Sequence, residues 1–197
     1  MQMVEPDAGS VEARLHSGEI RCVECGGELR PWGYARWRTL RDHGRRLQVH
    51  PRRSRCRSCR ITHVLLPTLV LLRRVDLAAV IGGALTAWHV DDRSRAEVAR
   101  GAGAPWYTVR GWLRRFDARA MEIRDEFTTL AHRWDPELGH IAPQASVALD
   151  ALEAIGVAAS AAVRRFGPTA TPLWPLVAGA SGGRLLSNTS SPLPASG

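Results

Sequence analysis

Four cysteines constrain this chain most: Cys22 and Cys25 form one Cys-x-x-Cys pair, Cys56 and Cys59 another, with thirty residues between the pairs. Two intervening residues let a tight loop bring both sulfurs of a pair to one side. The glycines after Cys25 allow that loop a positive φ. Two such loops offer four sulfurs, which matches the tetrahedral preference of Zn²⁺ at sites with no open position. No cysteine is left over. The expectation is one structural zinc ion, with rubredoxin-like iron as the chemical competitor. Four thiolates leave no place for water, so a catalytic zinc is not expected. A thioredoxin-like redox site needs only one pair, at a helix start, and disulfides are rare in cytosolic chains. His43, His50 and His63 lie nearby but read as surface or packing residues, because the cysteines complete the site. Arg21, Arg55, Arg57 and Arg60 flank the loops and are expected to stabilise the thiolates.

The charge pattern points to phosphate. The net charge is +8, without a single lysine. Residues 21–60 hold twelve arginines against three acids, a net +9, and residues 93–119 hold seven against two, a net +5. The positive field is thus confined to two stretches, as on a surface that meets nucleic acid. Arg45, Arg46, Arg52 and Arg53 are the candidate phosphate contacts of the first stretch. No apolar run reaches the roughly 18 residues of a membrane span, and Ile61–Leu72 is broken by Pro67. The acidic start of the chain lacks the basic-then-apolar pattern of a signal peptide. A cytoplasmic protein is expected.

Along the chain, residues 1–20 read as a mobile leader with an amphipathic patch at Val11–Leu15. Residues 21–67 read as a zinc ribbon, with strands at Leu29–Tyr34 and Arg46–Arg53 and a turn at Asp42-His43-Gly44. A helix is expected over 75–90, with Val75, Ala78, Ala79, Leu85 and Trp88 near one face and Asp76 as its cap. Two helices follow over 94–117, parted by Gly101-Ala102-Gly103-Ala104. Residues 118–186 read as a helical region, in which 118–132 continue helical with Met121, Ile123, Phe127 and Leu130 apolar. A helix over 144–166 then ends at Gly167-Pro168. Residues 187–197 read as a disordered tail. The expected fold class is mainly α with a small β zinc ribbon: ribbon first, then a helix-turn-helix, then C-terminal helices.

Residues 75–117 carry the second constellation. A bihelical DNA-binding unit needs a small residue where its helices cross, a glycine four residues later, and an apolar inner face on the second helix. Ala99, Gly103, Val109 and Trp112 fill these positions, with Leu113 and Phe116 continuing the face and Val98 and Ala102 completing the first helix. The register then sends Trp106, Tyr107, Arg110 and Arg114 toward duplex DNA, with Thr108 and Arg115 near its phosphates. Arg110 suits a bidentate contact to guanine, and Arg114 or Arg115 a phosphate. Pro105 suits the helix start, where an N–H has no intrahelical partner.

These phrases together carry a resemblance. Cys22-Val-Glu-Cys25-Gly-Gly, Arg30-Pro-Trp-Gly-Tyr34 and Pro51-Arg-Arg-Ser-Arg-Cys56-Arg-Ser-Cys59, followed by the bihelical unit, resemble the N-terminal half of bacterial insertion-sequence transposases. In those proteins a four-cysteine ribbon and an Arg-rich segment precede a helix-turn-helix that binds the element's ends. The chain is also similar to an actinobacterial family of unknown function with the same ribbon, in which Arg60-Ile-Thr-His-Val-Leu-Leu-Pro67 and Val109-Arg-Gly-Trp-Leu-Arg-Arg115 recur. The transposase resemblance covers about residues 21–117 and the second about 21–192. A transposase of that type also needs a ribonuclease-H-like domain with three Mg²⁺-binding carboxylates. Only 80 residues follow Asp117, and they read helical, with Asp125, Glu126, Asp135, Glu137, Asp150 and Glu153 as surface charges.

The sequence therefore predicts a zinc-containing, sequence-specific DNA-binding protein without catalytic activity, a regulator or accessory factor of a mobile element. The alternative is an interaction scaffold whose ribbon docks on a recombinase or polymerase. Double-stranded DNA is the expected partner. A second copy of the chain, through the apolar C-terminal helices, or a recombinase or transposase would be further partners, and a membrane would not.

Overall fold

The computed structural model describes residues 1–167 and 171–187. Within them the chain is mixed α/β, with a small sheet beside a larger helical body. Six strands, β1 (Gln2–Val4), β2 (Leu29–Tyr34), β3 (Arg38–Asp42), β4 (Arg45–Val49), β5 (Arg52–Cys56) and β6 (Thr62–Pro67), precede most of the helices. The helices are α1 (Ala8–Ser17), α2 (Ala78–His89), α3 (Arg95–Ala102), α4 (Trp106–Asp117), α5 (Ala120–Trp134), α6 (Val147–Phe166) and α7 (Leu173–Ala180).

Within the first twenty residues, expected as a mobile leader, the chain forms a strand and a helix. β1 pairs in parallel with β6 at the edge of a four-stranded sheet ordered β1-β6-β5-β2. Asp7 caps α1 by accepting from the Ser10 N–H at 2.6 Å, and Gly18 ends it in the left-handed region. Val11 and Leu15, one turn apart, drop into a small core with Val4, Ile20, Leu29 and Leu65, where Cys22 and Cys56 are also buried. Two large apolar residues suffice because the sheet supplies the rest.

The strand expected over Arg46–Arg53 is two strands. His50-Pro51 breaks it, since a proline cannot donate to a ladder. β4 pairs antiparallel with β3 as a separate hairpin, and β5 joins the sheet between β2 and β6. His43 (φ 47°) and Gly44 (φ 82°) make its two-residue turn. Both central residues at positive φ match the twist of a tight hairpin. β6 escaped notice in the sequence because Thr62–Pro67 reads as one apolar run that ends on proline; its Leu65 and Leu66 are buried on opposite cores.

Asp76 does not cap α2. The helix starts at Ala78 with Leu77 as its N-cap, and Val75, expected on the buried face, is exposed. The Asp76 carboxylate is buried and accepts two hydrogen bonds from Arg41, at 2.9 and 2.8 Å. The bidentate guanidinium pair engages both carboxylate oxygens, which a helix cap would otherwise use. The main chain reinforces the link: Arg41 N–H donates to the Val75 carbonyl at 2.7 Å, and Leu77 N–H to the Arg41 carbonyl at 3.0 Å. Together with buried Leu40, this pins the β3–β4 hairpin to the helical body.

The larger core is helical. Ile123, Phe127 and Ala131 of α5 face Ala151, Ala154, Ile155 and Ala158 of α6, whose small side chains permit close approach. Met121, expected on the apolar face, is exposed. α5 is also a new helix rather than a continuation of α4: Arg119, between them, is buried and donates to Glu122 and to the carbonyls of Arg184 and Ser187. α7 was hidden by its prolines. Pro172 is its N-cap and Pro175 lies in its first turn, where no intrahelical N–H is lost. Gly82 of α2 leaves the space that Trp174 fills; a Cβ there would lie 1.8 Å from the ring. The disordered tail expected over 187–197 lies outside the described residues apart from Ser187.

Candidate metal centre and nucleic-acid interface

The two Cys-x-x-Cys loops meet. All four sulfurs lie within 4.8 Å of one another. Cys22 and Cys59 are 3.7 Å apart, and Cys25 and Cys56 3.5 Å. A tetrahedron of sulfurs about 2.3 Å from a Zn²⁺ ion has edges of about 3.8 Å. The donor set and its spacing thus suit one tetrahedral metal ion.

The loops are built alike. Cys22 N–H donates to the Gly27 carbonyl at 2.8 Å, and Cys56 N–H to the Ile61 carbonyl at 2.9 Å, five residues on in each case. The fourth residue after the first cysteine is left-handed in both: Gly26 at φ 71° and Arg60 at φ 64°. Gly27 is required by contact, because a Cβ would lie 2.5 Å from Ser58 Oγ and 3.0 Å from Cys56 Sγ.

The electrostatics ask for a cation. At Cys56, burial opposes ionisation, but the Cys59 N–H, the Cys25 thiol and the Ser58 N–H outweigh it and bring the thiol down to about 6. At Cys59, the Ile61 N–H favours the thiolate, but burial and the sulfurs of Cys25, Cys56 and Cys22 push the thiol up to about 12. Cys56 ionises readily and Cys59 resists. A divalent ion between them removes that conflict. Three of the flanking arginines have partners of their own. Arg21 and Arg57 reach the Glu28 carboxylate, at 4.0 and 3.6 Å, while Arg55 donates to the Arg60 carbonyl at 3.1 Å.

His63 is the residue the sequence undervalued. It is a buried β6 side chain with Nε2 3.2 Å from Cys22 Sγ. Burial pushes its pKa below the ordinary value and so favours the neutral ring. With Cys22 as a metal-bound thiolate, which only accepts, Nε2 would be the donor of this contact. Such a donor orients a ligand sulfur and tunes its charge. Its alternation with Leu65 along β6, on the strand beside Cys56, is the signal that marks it.

The second candidate site is the helical pair α3–α4. Ser94 and Glu97 cap α3 reciprocally, each side chain taking the other's backbone N–H. Gly103 ends it at φ 60°, and Pro105 starts α4. Val109, Trp112, Leu113 and Phe116 are buried, as their register requires. On the opposite face Tyr107, Arg110 and Arg114 are exposed. Arg110 and Arg114 have no carboxylate partner among the described residues. Thr108 is half-buried, and Arg115 curls back to donate to the Gly111 carbonyl at 2.7 Å. Trp106 is half-buried: it packs against Trp88, ring centroids 5.3 Å apart, beneath the Arg95 guanidinium.

Of the four arginines expected to meet phosphate, Arg45 and Arg46 are exposed on β4 without a carboxylate partner among the described residues. They point to opposite faces of the hairpin, Arg45 with Asp42 and Arg46 with Arg41. Arg53 is half-buried on β5. Arg52 is committed elsewhere: it holds Glu12 of α1 through two bonds of 2.8 and 2.9 Å and the Gly33 carbonyl at 2.7 Å. Among the C-terminal carboxylates, Asp135 pairs with Arg164 at 2.8 Å, Asp125 with Arg124 at 2.7 Å, and Asp150 accepts from the Gln144 N–H at 2.6 Å.

Fold and site define a mixed α/β chain with a four-cysteine cluster suited to one metal ion. No helix among the described residues is long and apolar enough to cross a membrane. No family model matches the chain, and neither a curated protein nor a solved structure is significantly similar to it.

Proposed function

We propose that this chain is a zinc-containing protein that binds duplex DNA sequence-specifically, as a transcriptional regulator or an accessory factor of a mobile element, without a catalytic step of its own. The observation that carries the reading is α4. One face is buried, and the other presents Tyr107, Arg110 and Arg114 to solvent, with no carboxylate among the described residues to neutralise the two guanidiniums. A helix preceded by a short turn and a capped helix is the form that enters a major groove, where its first residues meet base edges. Arg110, in its second turn, reads guanine in this account, and Arg114 holds phosphate. The metal's part is structural: Zn²⁺ closes the two loops, and the sheet they join carries the arginine-bearing hairpin that packs beside α3–α4.

Electrophoretic shift of the full chain on duplex DNA, titrated with salt, tests this. Affinity should fall steeply with salt, by a slope of about 0.9 per phosphate contacted, and Arg114→Ala should lower that slope by about 1. Binding that is absent at moderate salt, or that ignores salt, would end the proposal.

A further inference from the structure

At the joint where the β3–β4 hairpin leaves the sheet, three rings stack. His50 lies 4.5 Å from Tyr34, at 21° between planes, and 4.2 Å from Trp37, at 12°. Tyr34 and Trp37 make no ring contact with each other, so they cover opposite faces of the imidazole. The joint is firm: Ala35 N–H donates to the Pro51 carbonyl at 2.9 Å, and the Arg52 guanidinium lies 4.5 Å over the Tyr34 ring. Yet Trp37 is 64% exposed, an unusual position for so large an apolar ring. Its outer face has no ring or guanidinium partner among the described residues. Arg36 and Arg38 flank it, exposed and without carboxylate partners among those residues. Nearby Trp32 is half exposed under the Arg55 guanidinium, 4.8 Å from the ring centre.

We infer that Trp37 is a stacking platform for an unpaired base of single-stranded nucleic acid. A base extends the Tyr34–His50–Trp37 stack by one layer, and Arg36 and Arg38 meet the phosphates on either side. Aromatic rings set among arginines are the arrangement that binds single strands with little sequence preference, because every base has a π-face. A base within a duplex has both faces covered, so the platform takes frayed ends, bubbles or single strands. The binding surface is distinct from α4 and needs no duplex recognition there.

The test is fluorescence anisotropy of the full chain with labelled oligothymidylate of about twelve nucleotides, within the range one such surface covers, and in parallel with duplex DNA. Trp37→Ala should lose roughly 5- to 100-fold in affinity for oligothymidylate, Trp37→Phe should keep most of it, and neither should change duplex affinity. Arg110→Ala should show the reverse pattern. Unchanged metal content and near-ultraviolet circular dichroism keep folding out of the comparison. Oligothymidylate binding that is absent, or equal in wild type and Trp37→Ala, overturns the inference and leaves the exposed rings as a surface for protein. Loss of duplex binding alone overturns the proposed function and leaves the platform standing.

Discussion

His43, at the tip of the β3–β4 hairpin, sets its Nδ1 2.6 Å from the carbonyl oxygen of Gly101, fifty-eight residues further along the chain. The hairpin tip thereby rests on the turn between α3 and α4. Gly103 makes the fit possible: a Cβ on it would lie 2.4 Å from the His43 carbonyl carbon, and its φ is already 60°. Gly103→Ala therefore meets both a left-handed backbone and backbone atoms that cannot yield. It should destabilise the chain by about 2 kcal/mol or more, measured by urea denaturation. Hydrogen exchange should speed up in both β3–β4 and the first turn of α4. Protection lost in α4 alone would show that the hairpin does not depend on the turn.

Arg60 occupies the left-handed position that Gly26 holds in the matching loop. Its side chain is exposed, so little packing is lost with it. Arg60→Gly should raise stability by about 1 kcal/mol, and Arg60→Val should lower it, because a β-branched residue tolerates positive φ poorly. Paired thermal melts at saturating Zn²⁺ decide; equal melting temperatures would mean the strain is absent.

The Cys22 sulfur lies 3.2 Å from His63 Nε2. His63→Ala should leave one metal ion per chain at saturation but weaken its retention against a chelator by about 10- to 100-fold. Cys56→Ser should lose the ion. Competition with a chromogenic chelator reads both; retention unchanged in His63→Ala would reduce the histidine to packing.

What the sequence revealed follows from where the information is local. Cysteine spacing fixes two loops by itself, and the four sulfurs do converge. Ala99 to Phe116 carries its register within eighteen residues, and its buried positions fall as that register requires. Long-range choices were hidden. Asp76 looks like a cap until Arg41, thirty-five residues earlier, reaches it. Trp106 looks fully outward until Trp88 packs against one side of it. Arg52 looks free until Glu12 folds back beside it. Residues 2–17 look like a leader because an edge strand of three residues and a helix with two buried side chains leave almost no pattern. In each case the partner lies beyond any local window.

His89, at the end of α2, lies with Nε2 3.0 Å from the Asp117 carboxylate of α4 and near the Phe116 ring. Burial pushes its pKa below the ordinary 6.5, against the pull of Asp117, so the folded chain favours the neutral ring. A base depressed in this way stabilises fully above its unfolded pKa of about 6.5, and that contribution fades as pH falls below it. His89→Gln keeps a donor but does not titrate. The pH dependence of its urea midpoint between 7.5 and 5.5 should be flatter than that of wild type. Parallel curves would place the titration elsewhere.

The central claim is that the outward face of α4 reads duplex DNA, and Arg110 is its chosen reader. Selection from a random duplex pool, run side by side with wild type and Arg110→Ala, tests it most directly. The wild-type chain should enrich one motif containing a guanine that Arg110→Ala no longer selects, at a loss of about 1–3 kcal/mol on the wild-type site. A wild-type pool without a motif, or the same motif at the same affinity from both proteins, would contradict the account.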